Sequence, residues 1–306
     1  MGTVFTIQLY APSATIAEVT ATAAFQRVAG LERVMSDYQA DSELMQLCDQ
    51  PYGTPVPVSE DLFKVLQVSQ RYADLSDGAF DVTVGPYVRL WRFSRKRKTL
   101  PSPLELQKAR EAVGWKKMRL DEKGRTVTLL APGMKLDLGG IGKGYAADEA
   151  LKVLKGKGLN CALVAGSGDI AIGDPPPGET GWVLGIGAID APTQVARTVL
   201  LRNAGISTSG DTEQFVEIGG VRYSHIVDTK TGLGLTNRLQ ATIIGPDATT
   251  TDALDTTVSV MGVESGLKLV DTLPHVAAVI SQKQDGKIFY SKSWKQVAEP
   301  SVKSRP

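Results

Sequence analysis

Two cysteines and two histidines in 306 residues leave little material for several common chemistries. Cys48 and Cys161 lie far apart and form no CxxC pair, so neither a zinc ribbon nor a dithiol redox centre organises the chain. With only His225 and His275, and no Gly-x-Ser-x-Gly elbow, an acyl-transfer triad has almost nothing to be built from. No apolar run reaches the roughly eighteen residues needed to cross a bilayer, and no signal-peptide pattern opens the chain. A charge surplus is missing too: 34 basic against 33 acidic residues leave a net charge of +1, which gives no general attraction to nucleic acid or to an anionic membrane. The one basic run, Arg92 to Lys98, reads as a solvated loop. What remains is a globular chain whose 42% hydrophobic content supports a substantial core.

Hydrophobic periodicity orders that chain. A first strand is expected at residues 5 to 9, followed by a long helix from 13 to 36 with Ile16, Ala24, Val28, Leu31 and Met35 inward. A short helix after Asp41-Ser42-Glu43 and a third from Ser59 to about Ala73 follow. Residues 80 to 93 show no clean period and read as a loop leading into a short helix. A helix over 104 to 113 and a hairpin over 116 to 130 precede the centre of the chain, and residues 161 to 172 read as a strand broken at Gly166-Ser167-Gly168-Asp169. Strands separated by Pro, Asn-Ala-Gly and Gly-Gly turns between 182 and 244 predict an antiparallel meander. Helices over 249 to 261 and 264 to 271, a strand near 276 to 280 and a turn at Asp285-Gly286 complete it. The pattern is α+β: antiparallel sheets packed with helices, as a single domain over residues 1–298 with a frayed polar tail over 299–306.

Three segments carry candidate chemistry. In Leu-Asp-Leu-Gly-Gly-Ile-Gly-Lys-Gly-Tyr-Ala-Ala-Asp, residues 136 to 148, four glycines fall between a short strand pattern and a helix start. The unpaired N–H groups of a helix start can hold phosphate, but a tight strand-to-helix connection explains the glycines equally well. Thr-Asp-Ala-Leu-Asp-Thr places Asp252 and Thr256 on one helical face, nearly opposite Leu254, Val258 and Met261. Such oxygen donors suit Mg²⁺, and they equally suit a capped helix start. His225, followed by Asp228 near a strand end, is either a near-neutral base or a hydrogen-bonded structural residue. Ser207, Thr208, Ser209, Gly210 and Asp211 read as a hydroxyl-rich turn.

Taken together, these segments resemble a family. Met1-Gly2-Thr3, Met35-Ser36-Asp37-Tyr38 with Asp41 to Leu44, Gly78 to Pro86 with Leu90-Trp91, Leu136 to Asp148, Gly166 to Asp169, Thr208 to Asp211, Ser224 to Asp228 with Thr231-Gly232, and Asp252 to Thr256 follow the order found in the bacterial FAD:protein FMN transferases, the ApbE family. The resemblance implies a T-fold-like core with an FAD cleft between the layers and Mg²⁺ at the diphosphate of FAD. It places Met1, Tyr38, Ala79, Phe80, Asp81, Asp137 and Lys143 around FAD and Ile226 against the flavin. The metal would be held by the Gly140 carbonyl with Asp252, Asp255 and Thr256, and His225 matches the histidine associated with transfer. The implied reaction attaches FMN to a Thr or Ser of an acceptor flavoprotein through a phosphoester and releases AMP, with Asp252 and His225 as the catalytic pair. An FAD diphosphatase giving FMN and AMP, and a flavin-binding protein without catalysis, are the alternatives. Gly142, where many relatives carry Ala, and the basic run after Trp91 depart from the pattern. Relatives are commonly exported and often lipid-anchored, so the expectation is a periplasmic protein whose leader has been removed.

Overall fold

The computed structural model describes residues 2–189, 191–210, 215–283 and 285–298. Its first half runs β1 (Phe5–Leu9), α1 (Ala14–Met35), α2 (Glu43–Cys48), β2 (Val56–Pro57), α3 (Glu60–Leu75), α4 (Gly85–Arg97), α5 (Pro103–Glu111), β3 (Met118–Asp121), β4 (Thr126–Leu129) and α6 (Gly142–Gly156). There follow β5 (Ala162–Gly166), β6 (Asp169–Ile172), β7 (Trp182–Ala188), β8 (Ala191–Leu201), β9 (Ala204–Gly210), β10 (Phe215–Ile218), β11 (Val221–Ser224), β12 (Leu239–Gly245), α7 (Ala248–Val270), β13 (Ala277–Gln282), β14 (Ile288–Tyr290) and α8 (Trp294–Ala298).

Seven of these strands form one open antiparallel sheet in the order β1-β5-β6-β9-β12-β13-β14. The alternation of a strand's side chains separates two cores across it. Ala241 and Ile243 of β12, with Ala278 and Ile280 of β13, face Leu254 and Val258 of α7, whereas Ile244, Ala277 and Val279 face Trp182, Val199 and Trp294 on the other side. Because both faces are covered, all seven residues of β12 are buried. Helices α1 and α6 close over β1 and β5 through Ala24, Ala147, Leu151 and Leu154.

Local sequence explains where the helices begin. Ser13, Ser42, Ser59 and Asp247 each accept a backbone N–H in the first turn of α1, α2, α3 and α7, and Ser102 with Glu105 forms a reciprocal capping box on α5. In α7, Gly262 sits at φ 79° and ψ 178°, so the element is two helices meeting at a break, as the separate periodic segments over 249 to 261 and 264 to 271 predict.

Four expectations change. Residues 80 to 93 are not mainly loop, and the basic run is not loop: α4 carries the chain from Gly85 to Arg97. Pro86 is tolerated in the first turn, and Tyr87, Trp91 and Ser94 form the buried stripe. The strand of residues 161 to 172 is a hairpin, β5 turning into β6. The meander is divided among three sheets: among the described residues β7 pairs only with β8, β10 only with β11, and β9 joins the main sheet. Ile16, expected inside, is 43% exposed, and the first buried residue of α1 is Thr20. The tail over 299–306, Met1 and Asp211 lie outside the described residues.

Candidate active site

The glycine turn is pinned before it reaches anything catalytic. The Asp137 N–H donates to the Val82 carbonyl at 2.8 Å, and the Gly139 N–H donates back to Asp137 Oδ1 at 2.8 Å. Helix α6 then opens without a side-chain cap, its N-cap being Ile141. One of its free amides, that of Gly144, is taken by another helix: it donates to Asp252 Oδ2 of α7 at 2.8 Å. This contact requires glycine, since a Cβ on Gly144 would lie 2.1 Å from the Ala248 carbonyl oxygen. Gly140 is similarly close, its Cβ position being 3.0 Å from Thr256 Oγ1. Gly142 is under no such constraint: its Cβ would meet only Leu138 Cβ at 3.8 Å, so an alanine would fit there as well.

A third carboxylate completes the group. The β5–β6 turn brings in Asp169, and Asp169, Asp252 and Asp255 each offer an oxygen within 4.8 Å of the others while only 1–2% exposed. Lys143 Nζ lies 2.8 Å from Asp169 Oδ2 and 3.1 Å from Asp252 Oδ1. One ammonium among three carboxylates leaves two negative charges uncompensated. Burial, followed by the charge of Asp169, pushes Asp252 up to about 7, and the same causes raise Asp255 well above the usual carboxylate range. Burial opposes the Lys143 ammonium, but the Asp252 and Asp169 charges outweigh it and keep the group protonated. An all-oxygen donor set with excess negative charge fits a hard divalent cation, which would relieve this repulsion. The polar side of α7 is therefore not a solvated face; Asp252 and Asp255 are as buried as Leu254, with carboxylates on one side and the core on the other.

The cluster sits in a cleft of about 790 Å³. Tyr38, Ala79, Phe80, Asp81, Asp137, Gly140, Lys143, His225, Ile226, Asp252, Asp255 and Thr256 all line it, so five segments far apart in the chain meet on one surface; Met1 lies outside the described residues. Ala79, Phe80 and Asp81 form its buried base, where the Asp81 carboxylate accepts from Thr83 N and Thr83 Oγ1, both at 2.7 Å. His225 and Ile226 follow β11 in a loop fastened to α4: the Trp91 indole N–H donates to the Ser224 carbonyl at 2.9 Å, and Ile226 N–H donates to Ser224 Oγ at 3.1 Å. The hydroxyl-rich segment is strand rather than turn up to Gly210. Ser207 shares a hydrogen bond with Thr251 at 2.8 Å and Thr208 with Thr242 at 2.9 Å, while Thr208 and Ser209 face the cleft.

Sequence reading missed three contributors. Asp169 was visible only as the end of a glycine turn; it joins the cluster through the β5–β6 hairpin. Asp37 and Arg92 meet beside Tyr38: Arg92 Nη1 is 2.5 Å from Asp37 Oδ2, its Nη2 is 3.2 Å from Asp137 Oδ2, and its guanidinium lies 4.3 Å over the Tyr38 ring. Burial and the neighbouring Asp37 charge push Asp137 up to about 6, against the Gly139 N–H and Arg92. A helical reading of residues 85 to 97 would have pointed Arg92 this way.

Comparison with known proteins follows the same outline. The ApbE family model matches residues 1–280. A relative from Vibrio cholerae named FAD:protein FMN transferase is 32% identical over 269 residues, covering 85% of this chain and 79% of that protein. One of the same name from Treponema pallidum is 34% identical over 263 residues, covering 81% and 73%. Among solved structures, the ApbE protein from Thermotoga maritima superposes with a TM-score of 0.87 at 31% identity, covering 97% of this chain and 96% of that one. The flavin transferase ApbE from Vibrio cholerae gives a TM-score of 0.87 at 28% identity over the same shares, 97% and 96%.

Proposed function

The chain belongs to the ApbE family, and on that premise we propose that it is an FAD:protein FMN transferase that works with Mg²⁺. The observation that carries this reading is the meeting of the glycine turn with the Asp169, Asp252 and Asp255 carboxylates inside one cleft. Asp252, Asp255 and Thr256, with the Gly140 carbonyl, would hold the metal, and Asp169 joins them as a further carboxylate. A bound Mg²⁺ would neutralise the diphosphate of FAD and ease departure of the leaving phosphate.

The chain's own groups supply the rest. Lys143 offers a fixed positive charge beside the cluster. The Ala79 to Asp81 base, Tyr38 and Asp137 border the dinucleotide, and Ile226 borders the flavin. In the transfer, the hydroxyl oxygen of an acceptor Thr or Ser forms a bond to the FMN-side phosphorus. The phosphorus–oxygen bond of the diphosphate bridge breaks, and AMP leaves with the bridging oxygen. His225, which lines the cleft beside the Trp91–Ser224 contact, would take the hydroxyl proton. The acceptor is proposed to be a flavin-carrying subunit or domain with an accessible Thr or Ser. An extracytoplasmic, lipid-anchored location is proposed from the family resemblance; no helix among the described residues is long and apolar enough to cross a membrane.

The test is to incubate the protein with FAD, Mg²⁺ and a candidate acceptor domain. AMP is followed by chromatography and the acceptor by in-gel flavin fluorescence. AMP together with a fluorescent acceptor is the expected result. AMP and free FMN without labelling would replace the proposal with a diphosphatase, and no AMP would leave a flavin binder.

A further inference from the structure

The end of α4 carries a charge pattern that the cleft chemistry does not use. Five of the seven residues from Arg92 to Lys98 are basic in a chain whose net charge is only +1. Arg92 is neutralised by Asp37 and Asp137, but Arg95, Lys96, Arg97 and Lys98 form no ion pair among the described residues. Helix C-termini favour one or two cations, which offset the negative end of the dipole. Four in succession exceed that need. Lys98 also closes α4 in the left-handed conformation, at φ 53°, where glycine is the less costly residue.

Position gives the pattern its meaning. Arg92 and Arg95 line the cleft, and the exposed Lys96, Arg97 and Lys98 follow Arg95 directly at the end of α4, a basic rim next to the cleft-lining residues in sequence. Phe93, 59% exposed and stacked by Arg97, stands among them. We infer that this rim is the docking surface for the acceptor protein and that it recognises an acidic segment next to the acceptor Thr or Ser. The inference rests on the transferase reading, since only a protein acceptor must be seated against the cleft mouth. Exposed cations at a rim act through steering and salt-sensitive encounter, and complementary acidic groups on a partner are what they select.

The probes are two fluorescein-labelled peptides, one with a single Thr flanked by Asp and Glu and a twin with Asn and Gln at those positions. Anisotropy titrations contain neither FAD nor Mg²⁺, so failure of FMN transfer leaves their result intact. Wild-type protein is expected to favour the acidic peptide by roughly tenfold at low salt, with the preference fading near physiological salt. Lys96→Glu/Arg97→Glu/Lys98→Glu should abolish the preference while FAD still quenches and the melting temperature holds. The milder Lys96→Gln/Arg97→Gln/Lys98→Gln protein should abolish it too if the reversed one misfolds. Equal binding of the two peptides to wild type, or an undiminished preference in the glutamine variant, overturns the inference. So does sedimentation of wild-type protein with phosphatidylserine vesicles without any peptide preference, which would make the rim a membrane-facing surface.

Discussion

Gly144→Ala tests whether the crossing of α6 and α7 sets the site. An alanine Cβ at this position would stand 2.1 Å from the Ala248 carbonyl oxygen and 2.8 Å from Asp252 Cβ. An ordinary C···O contact is about 3.3 Å, so the helices must separate by roughly 1 Å. Overpacking of this kind costs about 1–3 kcal/mol, and the better helix propensity of alanine returns at most about 1 kcal/mol. Net destabilisation of about 1–2 kcal/mol lowers the melting temperature by a few degrees. The functional loss should be larger than the structural one. The 2.8 Å bond from the Gly144 N–H to Asp252 lengthens, and Asp252 shifts relative to Gly140 and Lys143. A displacement near 1 Å costs about a hundredfold in rate. The assay is AMP release from FAD across a Mg²⁺ titration, beside a thermal melt of the same preparation. A folded Gly144→Ala protein with wild-type rate and wild-type Mg²⁺ requirement would refute the reasoning.

Three further outcomes follow from the same geometry. Trp91→Phe removes the donor to the buried Ser224 carbonyl, so it should cost about 1–3 kcal/mol in urea unfolding and lower kcat more than FAD affinity, because the loop holding His225 is loosened. Lys143→Met leaves three buried carboxylates without their ammonium; the metal-free protein should lose about 3 kcal/mol and gain more thermal stability from added Mg²⁺ than wild type does, as read by calorimetry. Asp148 accepts from the Ala248 and Thr249 N–H groups at 3.0 and 2.7 Å, and burial pushes it up to about 6. Its folded value lies above the unfolded one, so its stabilising contribution is complete below about pH 4 and is lost as pH rises through about 6. Asp148→Asn should therefore flatten the pH–stability curve between these values by up to about 3 kcal/mol, measured by denaturant titration.

How much of this could be read from the chain depends on the range of the interaction. Caps at Ser13, Ser42, Ser59 and Asp247 are local, and the helices start where those residues stand. Asp252, Asp255 and Thr256 are close in sequence and share a helix, so their grouping was legible. Asp169 was not: it reaches them through the β5–β6 hairpin and its pairing with β9, and no local period encodes that approach. Residues 85 to 97 hid their helix because their buried stripe mixes Tyr87 and Trp91 with polar Ser94, while Arg92 and Arg95 turn towards the cleft instead of bulk water. The strand-rich region after Trp182 carried correct strand signals, but the division into three sheets depends on partners far along the chain, such as β12 against β9. The burial of Asp252 and Asp255 was not legible, because two buried aspartates on the polar face of α7 make sense only once Lys143 and a cation-binding geometry are in view.

The central claim is that FMN transfer depends on the carboxylate cluster at the glycine turn. It is tested most directly by quantifying AMP and FMN-labelled acceptor for wild type and Asp252→Ala, side by side in saturating FAD and Mg²⁺. The account predicts one AMP per labelled acceptor for wild type and a loss of both products, by at least about a hundredfold, for a folded Asp252→Ala protein. Undiminished AMP release by that variant would contradict it.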